Sequence, residues 1–327
     1  MNHLRKILYA LLSLQVLAFI AFSLNSSAQS YPTKPVKIIV PFAAGGPADN
    51  YARFMAQRLQ DELKQSFIVE DRPGAGSIIG TDFAAKSPND GYTLLMMSNT
   101  QTVNESLIPN KPFNLMKDFI GVAPINFSDL ILVVNPSVPV KTVPELIALA
   151  KSKPGKLNFA SSGNGTPYHM AGELFNALAG VNITHIPYKG SSGARTDVIG
   201  GQVDMMFDAV TTMNEFVKEN KVRALATSGK TRSNITPNIP TVAEDGVPKF
   251  ETTIWLGIMA PKGTPTEIVN ILNTVIRKII SSQEVRDTWA KQGAAPLSMS
   301  PAEFNKYLEA DIQKWAAIVK SAQIKPD

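Results

Sequence analysis

The chain contains no cysteine. That excludes disulfides, a lipid-modified N-terminal Cys, thiolate metal sites and a Cys nucleophile. At 327 residues it needs no covalent staple, because a chain of this length can bury a large core. Histidine is nearly as scarce, with His169 and His185 the only two beyond residue 28. No Gly-x-Ser-x-Gly elbow accompanies them, so a hydrolase lacks both a nucleophile and a placed base. Asp204 and Asp208 are spaced i, i+4 on a strand, with no His spaced to complete a metal site. A basic stripe is missing too, and the scattered Lys and Arg argue against nucleic-acid binding. No apolar run beyond residue 24 approaches the roughly 20 residues of a membrane helix.

The run that does exist lies at the N-terminus. Arg5 and Lys6 precede Ile7 to Leu24, and Asn25-Ser26-Ser27-Ala28 follows. A charged start, an apolar middle and small residues at Ser26 and Ala28 read as a signal peptide over 1–28. Ser13 and Gln15 dilute the run, which speaks against an uncleaved anchor. The protein is expected in the periplasm, cleaved near Ala28, with the mature chain starting at Gln29. Losing Arg5 and Lys6 takes the net charge from +5 to +3, mild enough to favour anionic ligands only weakly.

The mature chain opens on Lys37-Ile38-Ile39-Val40-Pro41-Phe42-Ala43-Ala44-Gly45-Gly46-Pro47. The apolar run reads as a buried strand, the small residues as a sharp turn, and Pro47 as a helix start. Tyr51, Met55, Leu59 and Leu63 recur every fourth residue and give that helix one apolar face. The free N–H groups of its first turn point back at the loop, a setting suited to an anion. Further units follow: strand Ser66–Glu70, loop Asp71–Ser77, helix Ile78–Lys86, strand Tyr92–Met97 and the polar trio Ser98, Asn99, Thr100. Repeated βα units predict a parallel sheet with helices on both faces and ligands beyond its C-terminal strand ends. Phe119–Ile125 and Leu130–Val134 read as two separate apolar runs carrying the chain into a second lobe. There the opening design recurs as strand Leu157–Ala160, loop Ser161–Thr166, Pro167 and a helix through Leu178. Strands are expected at Ile183–Tyr188, Val203–Asp208, Val222–Ala226 and Ile254–Met259, and amphipathic helices at Thr266–Ser281 and Pro301–Ala322. Thr231–Phe250 reads as a long loop. Two similar loops in two lobes suggest one ligand gripped from both sides.

Gly74-Ala75-Gly76-Ser77-Ile78-Ile79-Gly80 invites comparison with a dinucleotide fingerprint. Its spacing is one residue too long, and an exported protein does not meet the cytoplasmic nicotinamide pool. No cofactor is expected.

Six segments then occur in one order: Val40-Pro41-Phe42-Ala43-Ala44-Gly45-Gly46, Asp71-Arg72-Pro73-Gly74-Ala75-Gly76, Asp90-Gly91-Tyr92-Thr93-Leu94-Leu95, Pro187-Tyr188-Lys189-Gly190, Gly201-Gln202-Val203-Asp204 and Pro240-Thr241-Val242-Ala243-Glu244. Together they resemble the Bug, or TctC-like, solute-binding proteins of tripartite tricarboxylate transporters, across essentially the whole mature chain. The resemblance implies a two-lobe type II periplasmic binding protein fold, two doubly wound α/β domains with a ligand cleft between. Lobe 1 would comprise 29–127 plus 252–327, and lobe 2 residues 128–251. It further implies a small carboxylate held largely by backbone groups and bridging waters. Phe42, Ala43, Ala44, Gly45 and Gly46 would form one jaw, and Ser162, Gly163, Asn164, Gly165 and Thr166 the other. Gly76, Ser77, Ser98, Asn99 and Thr100 would line the first lobe's side. Tyr188, Lys189 and Asp208 would lie on the second lobe's side, with His169 beside the ligand loop. Pro47 departs from the Ser or Thr of many members. The expected function is capture of a mono- or dicarboxylate by a monomer, without catalysis, for the membrane subunits of such a transporter. A sensor partner of a kinase with the same fold is the alternative, and a periplasmic hydrolase the third.

Overall fold

Ile38, Ile39 and Val40 are completely buried, as a strand covered on both faces requires. They belong to β1 (Val36–Val40), which leads through the glycine loop into α1 (Pro47–Leu63). β2 (Phe67–Asp71), α2 (Ile78–Ala85), β3 (Thr93–Ser98) and α3 (Asn99–Leu107) continue the alternation. The computed structural model describes residues 31–325, so the expected signal peptide over 1–28 and its expected cleavage near Ala28 lie outside the described residues. From Lys34 on the chain forms one compact unit. Among the described residues no helix is long and apolar enough to cross a membrane.

A single turn, α4 (Leu115–Asp118), precedes β4 (Phe119–Val134). This is one strand of 16 residues, where two separate runs are expected from the sequence. The polar residues Asn126, Ser128 and Asp129 interrupt the apolar pattern but not the ladder. Asn126 pairs with Leu256, Ser128 with Ile254 and Asp129 with Thr253. Shifts of register between Gly121 and Ala123, and between Pro124 and Asn126, accommodate Pro124, whose missing N–H would otherwise break the pairing.

The second half runs α5 (Val143–Ser152), β5 (Asn158–Ser161), α6 (Pro167–Ala179), β6 (Thr184–Pro187), α7 (Ser191–Ile199), β7 (Met205–Ala209), α8 (Val210–Lys218) and β8 (Arg223–Thr227). The chain returns through β9 (Thr253–Pro261) and ends in α9 (Thr266–Ser281), α10 (Gln283–Gln292), β10 (Ala294–Pro296) and α11 (Pro301–Ser321). Strand order is β2-β1-β3-β9-β4-β7-β5-β6, with β8 and β10 also on β4. The sheet is therefore mixed rather than parallel throughout. β1 runs parallel to β2 and β3, and β5 parallel to β6 and β7. Between these blocks β9 and β4 run antiparallel to their neighbours. β4 serves both blocks: through Asp129 it pairs with β9, and from Leu130 with β7 and β8.

Each block packs its own core. Ile39, Leu95, Met97, Trp255, Met259 and Phe304 cluster in the first. Phe159, Phe175, Phe207 and Phe250 gather in the second with Leu130 and Leu132. Full burial of one such side chain contributes about 1.5–3 kcal/mol, so either cluster can hold its block together.

Candidate functional site

The segments after β1, β3, β5 and β6 converge on one cavity, with about 330 Å³ of empty space counted together with open solvent at its mouth. Phe42, Ala43, Gly46, Pro47 and Ala48 line it from the first segment, Ser98 and Thr100 from the second. Ser162, Pro167 and Tyr168 come from the third, Ser191 from the fourth, and Ile254 and Leu256 from β9. No charged side chain is among these residues.

Each of the four segments reaches a helix N-terminus, where the first N–H groups have no intrahelical acceptor and the dipole is positive. Two of these ends are capped by side chains. Ser98 Oγ accepts from Thr100 N at 3.1 Å while Gln101 Oε1 accepts from Ser98 N at 2.9 Å, a closed capping box. Thr166 Oγ1 accepts from His169 N at 3.4 Å. The other two, α1 and α7, begin at Gly46 and Gly190 with no side-chain cap. Because Pro47 brings no donor, Ala48 supplies the first N–H within α1.

Asp49, which sequence reasoning passed over, modifies the first of these ends. It is buried, accepts from Gly45 N at 2.9 Å, and pairs with Arg53 Nε at 2.6 Å. The Gly45 donor is thus already in use. Ala44 and Gly45 are exposed on the rim rather than in the cavity lining. The rim instead meets the loop after β6. Ala43 N donates to Lys189 O at 3.2 Å, and Ser192 Oγ donates to Ala44 O at 2.9 Å. A Cβ on Gly190 would lie 2.8 Å from Ala43 Cβ, so only glycine permits this approach.

Of the residues expected at the site, Phe42, Ala43, Gly46, Ser98, Thr100 and Ser162 line the cavity. The others stand behind or beside it. Gly76 O accepts from Asn104 Nδ2 at 3.0 Å, and Ser77 Oγ accepts from Gln101 Nε2 at 3.1 Å. Asn99 ties α3 to the start of β9 through Nδ2 and Thr253 O, 3.0 Å apart. Gly163, Gly165 and Thr166 form a small knot: Thr166 Oγ1 donates to Gly163 O at 2.6 Å, and Gly165 N donates to His169 Nδ1 at 3.1 Å. Asn164 O lies 2.5 Å from where a Cβ on Gly76 would stand. His169 stacks on His185 at 4.1 Å between centroids, and His185 Nε2 lies 2.6 Å from Ser161 Oγ. Burial, and then the neighbouring His185, push the His169 imidazole down to about 3, so it is neutral at ordinary pH.

Tyr188 donates its hydroxyl to Asp197 at 2.5 Å; burial and that carboxylate push its phenol up to about 12. Lys189 contributes its backbone carbonyl, and its side chain is exposed. Asp208 is completely buried and bound to Arg195 Nε at 2.7 Å and to Ala209 N at 2.8 Å. Burial pushes its carboxyl up, against the pull of Arg195.

Sequence reasoning missed Ala48, Pro167, Tyr168, Ser191, Ile254 and Leu256 as lining residues. It noted Pro47 as a helix start and as a departure from a pattern, but not as a lining residue. Tyr168 and Ser191 each sit at a helix start, a position that could have marked them. Ile254 and Leu256 reach the cavity only through the antiparallel return of β9, for which no local signal exists.

A family model described as the tripartite tricarboxylate transporter family receptor, TctC, matches residues 51–324. Protein BugT of Bordetella pertussis is 39% identical over 301 residues, 91% of this chain and 92% of the relative. A solved R. palustris protein with adipate superposes with a TM-score of 0.88 at 34% identity, over 91% of this chain and all of the other. MatC from Rhodopseudomonas palustris with bound malate gives 0.84 at 29% identity, over 88% of this chain and all of the other. With its two-lobe type II α/β architecture, the chain belongs to the TctC, or Bug, family of periplasmic solute-binding proteins, which are not enzymes.

Proposed function

We propose that this protein is exported, captures a small mono- or dicarboxylate between its two lobes, and delivers it to the membrane subunits of a tripartite tricarboxylate transporter. The observation that carries the reading is the convergence of four helix N-termini on a cavity without a charged lining side chain. An anion there is met by backbone donors and dipoles, and no single cation sets its identity. The uncapped ends of α1 and α7 offer the donors a carboxylate would take, with the loops 42–46 and 162–166 closing around it. Adipate and malate in two family members support this class of ligand.

The lobes in this reading are 29–127 plus 252–327 and 128–251. The passage of β4 from β9 to β7 and β8 after Asp129, and the start of β9 at Thr253, support those boundaries. The bonds between the Ala43–Ala44 rim and Lys189–Ser192 are those a closed clamshell would make. Opening at the two crossing segments would break them and admit the ligand.

Isothermal calorimetry against a panel of organic acids tests the proposal. At least one acid is expected to bind at micromolar Kd or better, about −8 kcal/mol, and to be recovered unchanged. Failure of every acid at millimolar concentration sinks the carboxylate reading, and accumulation of a product at catalytic protein levels sinks the absence of turnover.

A further inference from the structure

Three buried polar atoms near the cavity have no hydrogen-bond partner at good geometry: the Tyr168 hydroxyl, Ser191 Oγ and Arg195 Nη2. Tyr168 and Ser191 are each 3% exposed, and both line the cavity. They come from two helix starts, Tyr168 as the second residue of α6 and Ser191 as the first of α7. The Tyr168 hydroxyl lies close enough to Ser191 for a weak side-chain hydrogen bond between the two, and it stands beside the Arg195–Asp208 pair. Ser191 Oγ also faces α1, since a Cβ on Gly46 would lie 3.0 Å from it. Two hydroxyls that can satisfy each other only once leave one donor without an acceptor in the wall of a ligand cavity, and a solute can bring that acceptor.

The chemistry of that group follows from charge. Both hydroxyls are neutral donors, and Arg195, the cation behind them, is already bound to Asp208 at 2.7 Å. A second carboxylate would be desolvated there without an unpaired cation to receive it. A neutral oxygen accepting a hydrogen bond from this hydroxyl pair meets no such cost. Phe42, Pro47, Ile254 and Leu256 elsewhere in the lining offer a carbon skeleton only apolar contact.

The geometry points to a specificity subsite, formed by Tyr168 and Ser191, that receives the hydroxyl or oxo oxygen of a substituted carboxylic acid whose carboxylate is held at the α1 and α7 N-termini. This rests on the carboxylate reading above. The protein would then favour hydroxy and oxo acids over the same skeletons without the oxygen.

Matched acids decide it: propionate against lactate and pyruvate, and succinate against malate, each by calorimetry on the full mature chain. The oxygen-bearing member is expected to bind at least about tenfold tighter, the usual effect of leaving buried donors unpaired. In Tyr168→Phe and in Ser191→Ala that ratio should fall to within about threefold. Taking the ratio on one variant cancels any general weakening of the site, and melting curves confirm each fold. A wild-type ratio near one overturns the subsite, as does a ratio that survives both substitutions. A folded variant that binds neither member of a pair assigns its hydroxyl to the carboxylate instead, and also overturns it. If no acid binds the wild-type protein, the carboxylate reading itself fails and takes the subsite with it.

Discussion

The loop after β1 and the loop after β5 share an order of residues: strand, small residues, glycine, proline, helix. They are held in place by different partners. The second loop is held from within. Gly163 O accepts from Thr166 Oγ1, Gly163 N donates to Ser161 Oγ at 3.0 Å, and Gly165 N is fixed by His169, itself stacked on His185. The first loop is held at its base by Asp49, but its rim is held from across the cavity by Lys189 O and Ser192 Oγ. One jaw therefore has bonds of its own that fix its shape, although it also packs against Gly76 and Asn104. The other takes its final shape only when the opposite loop is beside it. Such an asymmetry would let one jaw act as a template while the other forms on closure, and closure is favoured only by as much as the solute binds the closed form better.

The largest expected effect breaks the fixed jaw. Gly163 has φ +118°, a region L side chains rarely adopt, and a Cβ there would lie 2.9 Å from Tyr188 O. Strain of this kind costs on the order of 1–3 kcal/mol before the clash is counted. Gly163→Val should lower Tm by roughly 5–10 °C and weaken carboxylate binding about 100-fold or more. Normal binding by a folded variant would show that the knot around Gly163 does not shape the site.

The same substitution on the conditional jaw should be milder. Gly45 has φ +81°, but it is exposed, and its Cβ would meet only Ser192 Cβ at 3.6 Å. The left-handed conformation alone costs a valine roughly 1–2 kcal/mol. Gly45→Val should weaken binding about tenfold with a Tm shift of only a few degrees, mostly by hindering the approach of Ser192. Equal losses at Gly45 and Gly163 would mean that the two jaws are equivalent, and the asymmetry would be wrong.

Titration sharpens the contrast, because only the second jaw is built on histidine. His169 is held at about 3, below its ordinary value near 6.5. The native state refuses a proton that the unfolded chain accepts between those limits. Its contribution is fully present above about pH 6.5 and is lost as pH falls towards 3, at no more than about 1.4 kcal/mol per pH unit. His169→Gln removes the acceptor for Gly165 N and should melt a few degrees below wild type at pH 7.5. That gap should narrow steadily as pH falls to 4, since the variant has no such proton to exclude. Melting curves at half-unit steps test this, and a constant gap would sever His169 from the loop's stability.

Much of this arrangement is legible in the chain. The strand–glycine–proline–helix order of both jaws can be read directly, because Pro47 and Pro167 each mark a helix start where a missing N–H costs nothing. The continuity of β4 cannot. Asn126, Ser128 and Asp129 read as a break, and only the pairing with β9 shows that their backbones stay in the ladder. α3 was hidden by its weak apolar face, with Val103 and Leu107 its only buried aliphatic residues, although Ser98-Asn99-Thr100-Gln101 spells a capping box. The meeting of the first jaw with Lys189–Ser192, rather than with the second jaw alone, is a matter of strand order. β1 and β6 lie far apart in the sheet, and no local pattern records which of their loops touch.

The smallest expected effect concerns Lys189, the residue whose charge would most tempt a reader seeking a carboxylate partner. It meets the first jaw through its backbone carbonyl, 3.2 Å from Ala43 N, while its side chain is exposed and absent from the cavity lining. Substitution leaves the carbonyl in place, so the contact across the cavity survives. What remains is a solvent-screened charge at the rim, whose influence on an anion falls off over a Debye length of about 8 Å. Lys189→Met should therefore change Kd by less than about threefold at 150 mM salt, with the difference growing modestly at low salt. The decisive comparison is with the two glycine variants under one buffer. If Lys189→Met abolished binding while Gly45→Val and Gly163→Val bound normally, a charged side chain would be the anion's true partner, and neither jaw's backbone would be.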